Sequence, residues 1–93
     1  MEAHKERMVI ELKELDDKIT KLSQFILKED FSASSRITNE ETNLLVDQIT
    51  AMEEYIVVLL KRITLSFTTY EYTSSGIEDI MNKYAIIYIK RFV

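Results

Sequence analysis

The chain has no proline, no cysteine, no tryptophan and a single glycine in 93 residues. Ordinary usage would supply about six glycines and four or five prolines. Chains built from turns, collagen repeats or low-complexity linkers need those residues, so such classes are excluded. Absence of cysteine excludes a disulfide framework, a thiolate metal site and thiol catalysis. Basic charge is also in short supply: 12 Lys and Arg against 16 Asp and Glu give a net charge of −4. A general nucleic-acid binder usually presents a basic field, so the balance argues against direct nucleic-acid binding. No run of about 18 apolar residues exists to span a membrane. The first residues, Met1-Glu-Ala-His-Lys-Glu-Arg7, lack the apolar core of a secretion signal. The expectation is a cytoplasmic protein.

What is present is helical periodicity. Met8, Leu12, Leu15, Ile19, Leu22 and Ile26 recur at spacings of four and three, the 3.5-residue period of a coiled-coil seam. Glu14 and Lys18, and Asp17 and Lys21, are favourable pairs one turn apart. Leu45, Ile49, Met52, Ile56, Leu59 and Ile63 repeat the same period. Thr38 and Glu41 form a capping box that starts this second helix. Between the seams, three serines in Ser32-Ala-Ser-Ser35 disfavour helix, and Phe31 reads as a plug for the open end of the hairpin. The pattern predicts an all-α fold with a long antiparallel hairpin, about 3–28 and 38–65.

The C-terminal third is ambiguous. Leu65–Thr73 and Tyr84–Ile89 are rich in β-branched and aromatic residues, which favours strands. Period favours helix, because Phe67 and Tyr70 continue the second seam and Ile77, Ile80, Met81, Tyr84 and Tyr88 share one face. Ser75 and Glu78 match a second capping box, with Gly76 at the boundary. A C-terminal third helix from about residue 76 is therefore expected. The alternative is a small β-containing element over 65–92, completed by oligomerisation. Residues 1–93 form a single domain in either version, with a hairpin module (3–65) and a C-terminal element (66–93).

The second helix is too apolar for one partner. Ile56 to Leu60 are five consecutive apolar residues and point all round the helix. Leu44, Tyr55, Val57, Val58 and Leu60, with Ile86, Ile87 and Ile89 near the C-terminus, are therefore expected to face an oligomer or binding partner. A homo-oligomer is the simplest way to cover them. Charge is also segregated: residues 31–60 carry five acids against Arg36 alone, whereas residues 61–93 carry five bases and three acids. Acidic middle and basic end can attract one another, within a chain or between chains.

Chemistry is sparse. His4 is the only histidine and sits in a first turn, which leaves no histidine metal site and no Ser-His-Asp device. One glycine cannot build a phosphate loop. Adjacent carboxylates, Glu53/Glu54 among them, point apart on a helix and read as solvated. The expectation is a non-enzyme without a cofactor or metal. The one candidate small-molecule site gathers Arg36, Lys61, Arg62, Lys90 and Arg91 with Tyr70, Tyr72, Tyr84 and Tyr88, a set that suits an anionic ligand.

The residues Glu6-Arg7, Glu11-Leu12, Glu14-Leu15, Lys18-Ile19, Lys21-Leu22, Phe25-Ile26, Phe31, Leu44-Leu45, Gln48, Met52, Tyr55, Leu59 and Arg62-Ile63 carry a resemblance. Over about residues 6–65 the chain resembles a small helical-hairpin accessory module of phages of Gram-positive bacteria. It is also similar to the helical part of some phage anti-defence proteins, which oligomerise and sequester nucleotide signals. The resemblance implies an oligomeric phage accessory protein that binds and blocks a host protein, such as a component of antiviral defence. The alternatives are a nucleotide-messenger sponge with its ligand between subunits, and a purely structural coiled-coil module.

Overall fold

The structure, a computed structural model, describes residues 1–30 and 37–93. Its regular structure is helical, with no strand among the described residues. Two helices of 28 residues each, α1 (Ala3–Asp30) and α2 (Asn39–Ser66), lie antiparallel as the hairpin expected from the two seams. Three short helices follow: α3 (Thr69–Ser74), α4 (Glu78–Lys83) and α5 (Ala85–Phe92). The molecule is a rod of 49 × 25 × 19 Å. Phe31, the serines 32–35 and Arg36 lie outside the described residues.

Thr38 starts α2 as expected. Its hydroxyl accepts from the Glu41 amide (3.1 Å), and the Glu41 carboxylate accepts from the Thr38 amide (3.2 Å). Asp17 and Lys21 make the expected ion pair at 2.8 Å.

The C-terminal third departs in detail. The α2 period does not run on through Phe67, because Phe67 is extended and ends the helix. A second capping box, Thr68 with Glu71, starts α3 instead. The expected box of Ser75 with Glu78 does not form. Ser75 closes α3, its hydroxyl bonded to the Tyr72 carbonyl at 2.7 Å, and α4 begins after Ile77 without a side-chain cap. The C-terminal helix expected from about residue 76 starts at Glu78 and is broken once, at Tyr84, and the short α3 precedes it. Gly76 separates α3 from α4 with φ +73°, the only positive φ among the described residues. An added Cβ would meet nothing nearer than Lys13 Nζ at 4.0 Å, so a substitution meets backbone strain rather than a clash. Gly76→Ala is expected to cost about 1–2 kcal/mol, read as a lower midpoint in a thermal melt.

One apolar cluster holds the elements together. It joins Met8, Val9, Leu12 and Ile19 of α1, Ile56, Val57, Leu59, Leu60 and Ile63 of α2, and Ile77, Ile80 and Tyr84 of the C-terminal part. Val57 and Leu60 correct a sequence expectation. Their place in an apolar run predicts an outer interface, yet both are fully buried within the single chain. The C-terminal helices close that flank of α2. They cover only part of the hairpin: Leu45, Ile49 and Met52 are half-buried where Ile56, Leu59 and Ile63 are fully buried.

Three polar clasps add to this docking. Lys5 Nζ meets Glu71 Oε1 at 2.9 Å, Asp16 receives Lys83 and Tyr84, and Arg91 meets Glu54 at 3.0 Å. The last realises the attraction between acidic middle and basic end within one chain. It is half-exposed and contributes little. Glu71 serves two elements, because the same Oε1 accepts from the Thr68 amide at 2.9 Å. That bond first, then Lys5, holds the Glu71 carboxyl below its ordinary value of 4.5. A depressed folded pKa stabilises fully above the unfolded value and loses that contribution as pH falls. Acidification below pH 4.5 is therefore expected to fray α3 first, followed through the Thr68 and Glu71 amide resonances.

Candidate functional site

The surface expected to face partners is split by the fold. Leu44, Tyr55 and Val58 remain exposed on one flank of α2 (61%, 50% and 37%). Val57 and Leu60, on the other flank, are closed off. Ile86 (71%) and Ile89 are exposed on the outer face of α5, while Ile87 is half-buried against the core.

The expected anionic-ligand set is only partly brought together. Tyr84 is buried, and its hydroxyl donates to Asp16 at 2.7 Å, which makes it part of the core. Burial, and then that hydrogen bond, push its phenol well above the ordinary value. Tyr70 stands out on α3, 80% exposed, and Arg62 is exposed on α2. Neither joins the others. Tyr72 is half-buried against the core, and burial raises its phenol as well. Arg36 lies outside the described residues.

Lys61, Tyr88 and Arg91 do converge, and the residue that collects them is Phe92. The Tyr88 ring centroid lies 5.1 Å from that of Phe92. Lys61 Nζ and the Arg91 guanidinium lie 5.5 and 5.6 Å from the Phe92 centroid, within cation–π range. Sequence reasoning missed Phe92. Its spacing of four from Tyr88 was the available signal.

Beside this cluster runs a groove of about 430 Å³ between α2 and α5, lined by Thr50, Glu53, Glu54, Ile87, Lys90 and Arg91. The volume falls within the range of small-molecule sites. Glu53 and Glu54, read from sequence as a solvated pair, form its acidic wall. Glu53 is half-buried, and burial first, then Glu54, raises its carboxyl above the ordinary value. Lys90 and Arg91 form the basic wall, and Ile87 supplies an apolar surface. Cations here meet phosphate or carboxylate, and carboxylates accept from hydroxyl or amine donors. Arg91 and Glu54 pair with each other across the groove at 3.0 Å, so a ligand that engages either of them must part that pair.

A second groove, of about 440 Å³, opens on the far side of α2 against α1. It is lined by Glu11, Glu14, Leu15, Lys18, Gln48, Ala51, Met52 and Tyr55. The Tyr55 hydroxyl donates to Glu11 across it. That bond raises the Tyr55 phenol above its ordinary value.

Among the described residues no group of three His, Cys, Asp or Glu comes together to hold a metal ion, and no helix is long and apolar enough to cross a membrane. His4 is exposed on the first turn of α1. Comparison with curated proteins and with solved structures gave no significant match. A family model, described as Sequestin, matches residues 2–65, which spans α1 and nearly all of α2. The match takes in the module whose seams build the hairpin and covers more than half of the chain: the protein belongs to the Sequestin family.

Proposed function

We propose that this chain is a non-catalytic accessory protein of phage type that sequesters a small anionic ligand, a nucleotide messenger of host antiviral defence. The observation that carries the reading is the α2–α5 groove, where Lys90 and Arg91 face Glu53 and Glu54. Nucleotides pair acceptor-rich phosphates with donor hydroxyls, the two chemistries those walls meet. Lys90 and Arg91 take the phosphates, Glu53 and Glu54 the sugar hydroxyls, and the base lies along Ile87. The family's name, built on sequestering, supports the same reading. Binding without turnover agrees with a site that has no histidine, no cysteine and no glycine loop.

The test is a thermal-shift and calorimetric panel of linear nucleotides and cyclic mono- and dinucleotides against the full chain. One or more compounds should raise the midpoint by several degrees, be recovered unchanged after denaturation, and lose binding in Lys90→Glu/Arg91→Glu. No shift across the panel, or recovery of a cleaved product, would overturn the proposal. A host protein as the blocked partner is the second reading. It draws on the apolar outer face of α5, where Ile86 and Ile89 stand exposed, with Val93 exposed just beyond the helix. Pull-down from host lysate with Ile86→Asp/Ile89→Asp as control tests it separately.

A further inference from the structure

We infer that the Glu54–Arg91 ion pair is a selectivity latch on the α2–α5 groove, which turns away bare phosphates and admits a ligand that carries a hydroxyl beside its phosphate. The pair joins the two walls, with Arg91 Nη1 on Glu54 Oε2 at 3.0 Å and both side chains half-exposed. Lys90 lines the same basic wall, and among the described residues no carboxylate lies within ion-pair distance of it. One cation of the groove is therefore open to an anion, and the other is already taken. Arg91 is also the cation that the fold holds in place. Its guanidinium lies 5.6 Å from the Phe92 ring centroid, and Lys61 Nζ lies 5.5 Å from the same centroid. Two positive charges on one ring repel, and the Glu54 carboxylate offsets them.

What a ligand must supply follows from that exchange. Glu54 is tethered to α2 and competes for Arg91 at an effective concentration that a dilute free anion does not match. A phosphate that takes Arg91 forfeits the pair, worth up to about fivefold in an equilibrium constant at an exposed site. It also leaves the Glu54 carboxylate bare beside the incoming charge, which costs about fivefold again at about 4 Å in water. Glu53 lines the same wall, and burial and Glu54 already hold its carboxyl above the ordinary value. That wall has little room for a third negative group. A hydroxyl on the ligand changes the balance, because it donates to the freed carboxylate, and bonds to a charged acceptor are the stronger kind. The groups then trade partners: Arg91 passes from Glu54 to the phosphate, and Glu54 from Arg91 to the hydroxyl. A ribose next to a phosphate meets both needs, whereas inorganic pyrophosphate meets one.

The latch rests on the nucleotide reading for the ligand it admits, but not for the pair itself, so the test has two arms on the full chain at fixed salt. The first titrates inorganic pyrophosphate calorimetrically. Glu54→Gln should bind it about tenfold more tightly than wild type, and the gain should vanish when Arg91→Gln is added, because it acts through Arg91. The second titrates the ribonucleotides of the panel. Glu54→Gln should tighten these far less, so the preference for ribonucleotide over pyrophosphate should fall by about the same tenfold. Both side chains are half-exposed, so Glu54→Gln should keep the wild-type melting midpoint. No gain for pyrophosphate, or a gain that persists in Glu54→Gln/Arg91→Gln, would overturn the latch. A lowered midpoint with affinities unchanged would make the pair structural and overturn it as well. A pyrophosphate gain with no nucleotide bound by wild type would support the latch and overturn the nucleotide reading alone.

Discussion

Leu60→Ala is expected to cost about 3 kcal/mol, within the range for a truncated core leucine. In a chain of this size that lowers the melting midpoint by roughly 12–24 °C. Leu60 has no exposed surface and belongs to the cluster that joins both long helices to Ile77, Ile80 and Tyr84. Truncation leaves a cavity where three parts of the fold meet, with few loops able to collapse into it. The matched control is Leu65→Ala, five residues on in the same helix but 75% exposed, which should change stability by less than about 0.5 kcal/mol. Equal melting points for the two variants would refute the packing described for α2. Leu60→Asp, a natural choice for disrupting an apolar surface, is expected to unfold the chain instead. Any binding lost with it would report the fold and not a site.

The second large effect concerns Asp16. It accepts from the Tyr84 hydroxyl at 2.7 Å and from Lys83 Nζ at 2.9 Å, and Lys83 also reaches the Thr20 hydroxyl at 2.9 Å. Asp16→Ala leaves the Tyr84 hydroxyl, on a residue only 3% exposed, without its acceptor. A buried donor stranded in this way costs about 1–3 kcal/mol. Loss should fall first on α4 and α5, so their amides should exchange faster before those of α1 and α2 do. Tyr84→Phe should cost less, and Asp16→Ala/Tyr84→Phe should lose less than the sum of the two. Strict additivity would mean that the hydroxyl and the carboxylate do not act together. The clasp also has an alkaline limit. Because the folded state raises the phenol above its ordinary value of 10.0, its contribution is complete below pH 10 and is lost as pH rises beyond it.

How much of this was open to a reading of residues depends on how local each signal was. Both long helices, their antiparallel pairing and the Thr38–Glu41 box rest on spacings within one segment, and those spacings survive into the structure. The C-terminal part was harder because two local signals conflict. Phe67 and Tyr70 prolong the α2 period, while Thr68-Thr-Tyr-Glu71 carries the capping-box pattern that in fact ends that period and starts α3. Ser75 and Glu78 carry the same pattern, yet the glycine between them takes φ +73° and hands Ser75 to the end of α3. Val57 and Leu60 were correctly read as needing cover. What closes over them begins 17 residues beyond Leu60, at Ile77, and no period extends across that gap. The site was the least legible. Lys61, Tyr88 and Arg91 were visible as candidates, but Glu54 meets Arg91 across 37 residues. A doublet of acids on a helix carries no mark of that pairing.

The cover supplied by α3–α5 stops partway along the hairpin, and the α2–α5 groove lies where it stops. Stability along the single helix α2 is then graded. Amides around Ile56–Ile63 are expected to open only with the whole molecule, and those around Leu44–Thr50 in smaller fluctuations. If the proposed ligand binds between Thr50 and Arg91, that boundary should shift outward by about a turn. Capture by this protein would be silent in overall shape and audible in proton exchange, as a short stretch of α2 that falls quiet when the groove is filled.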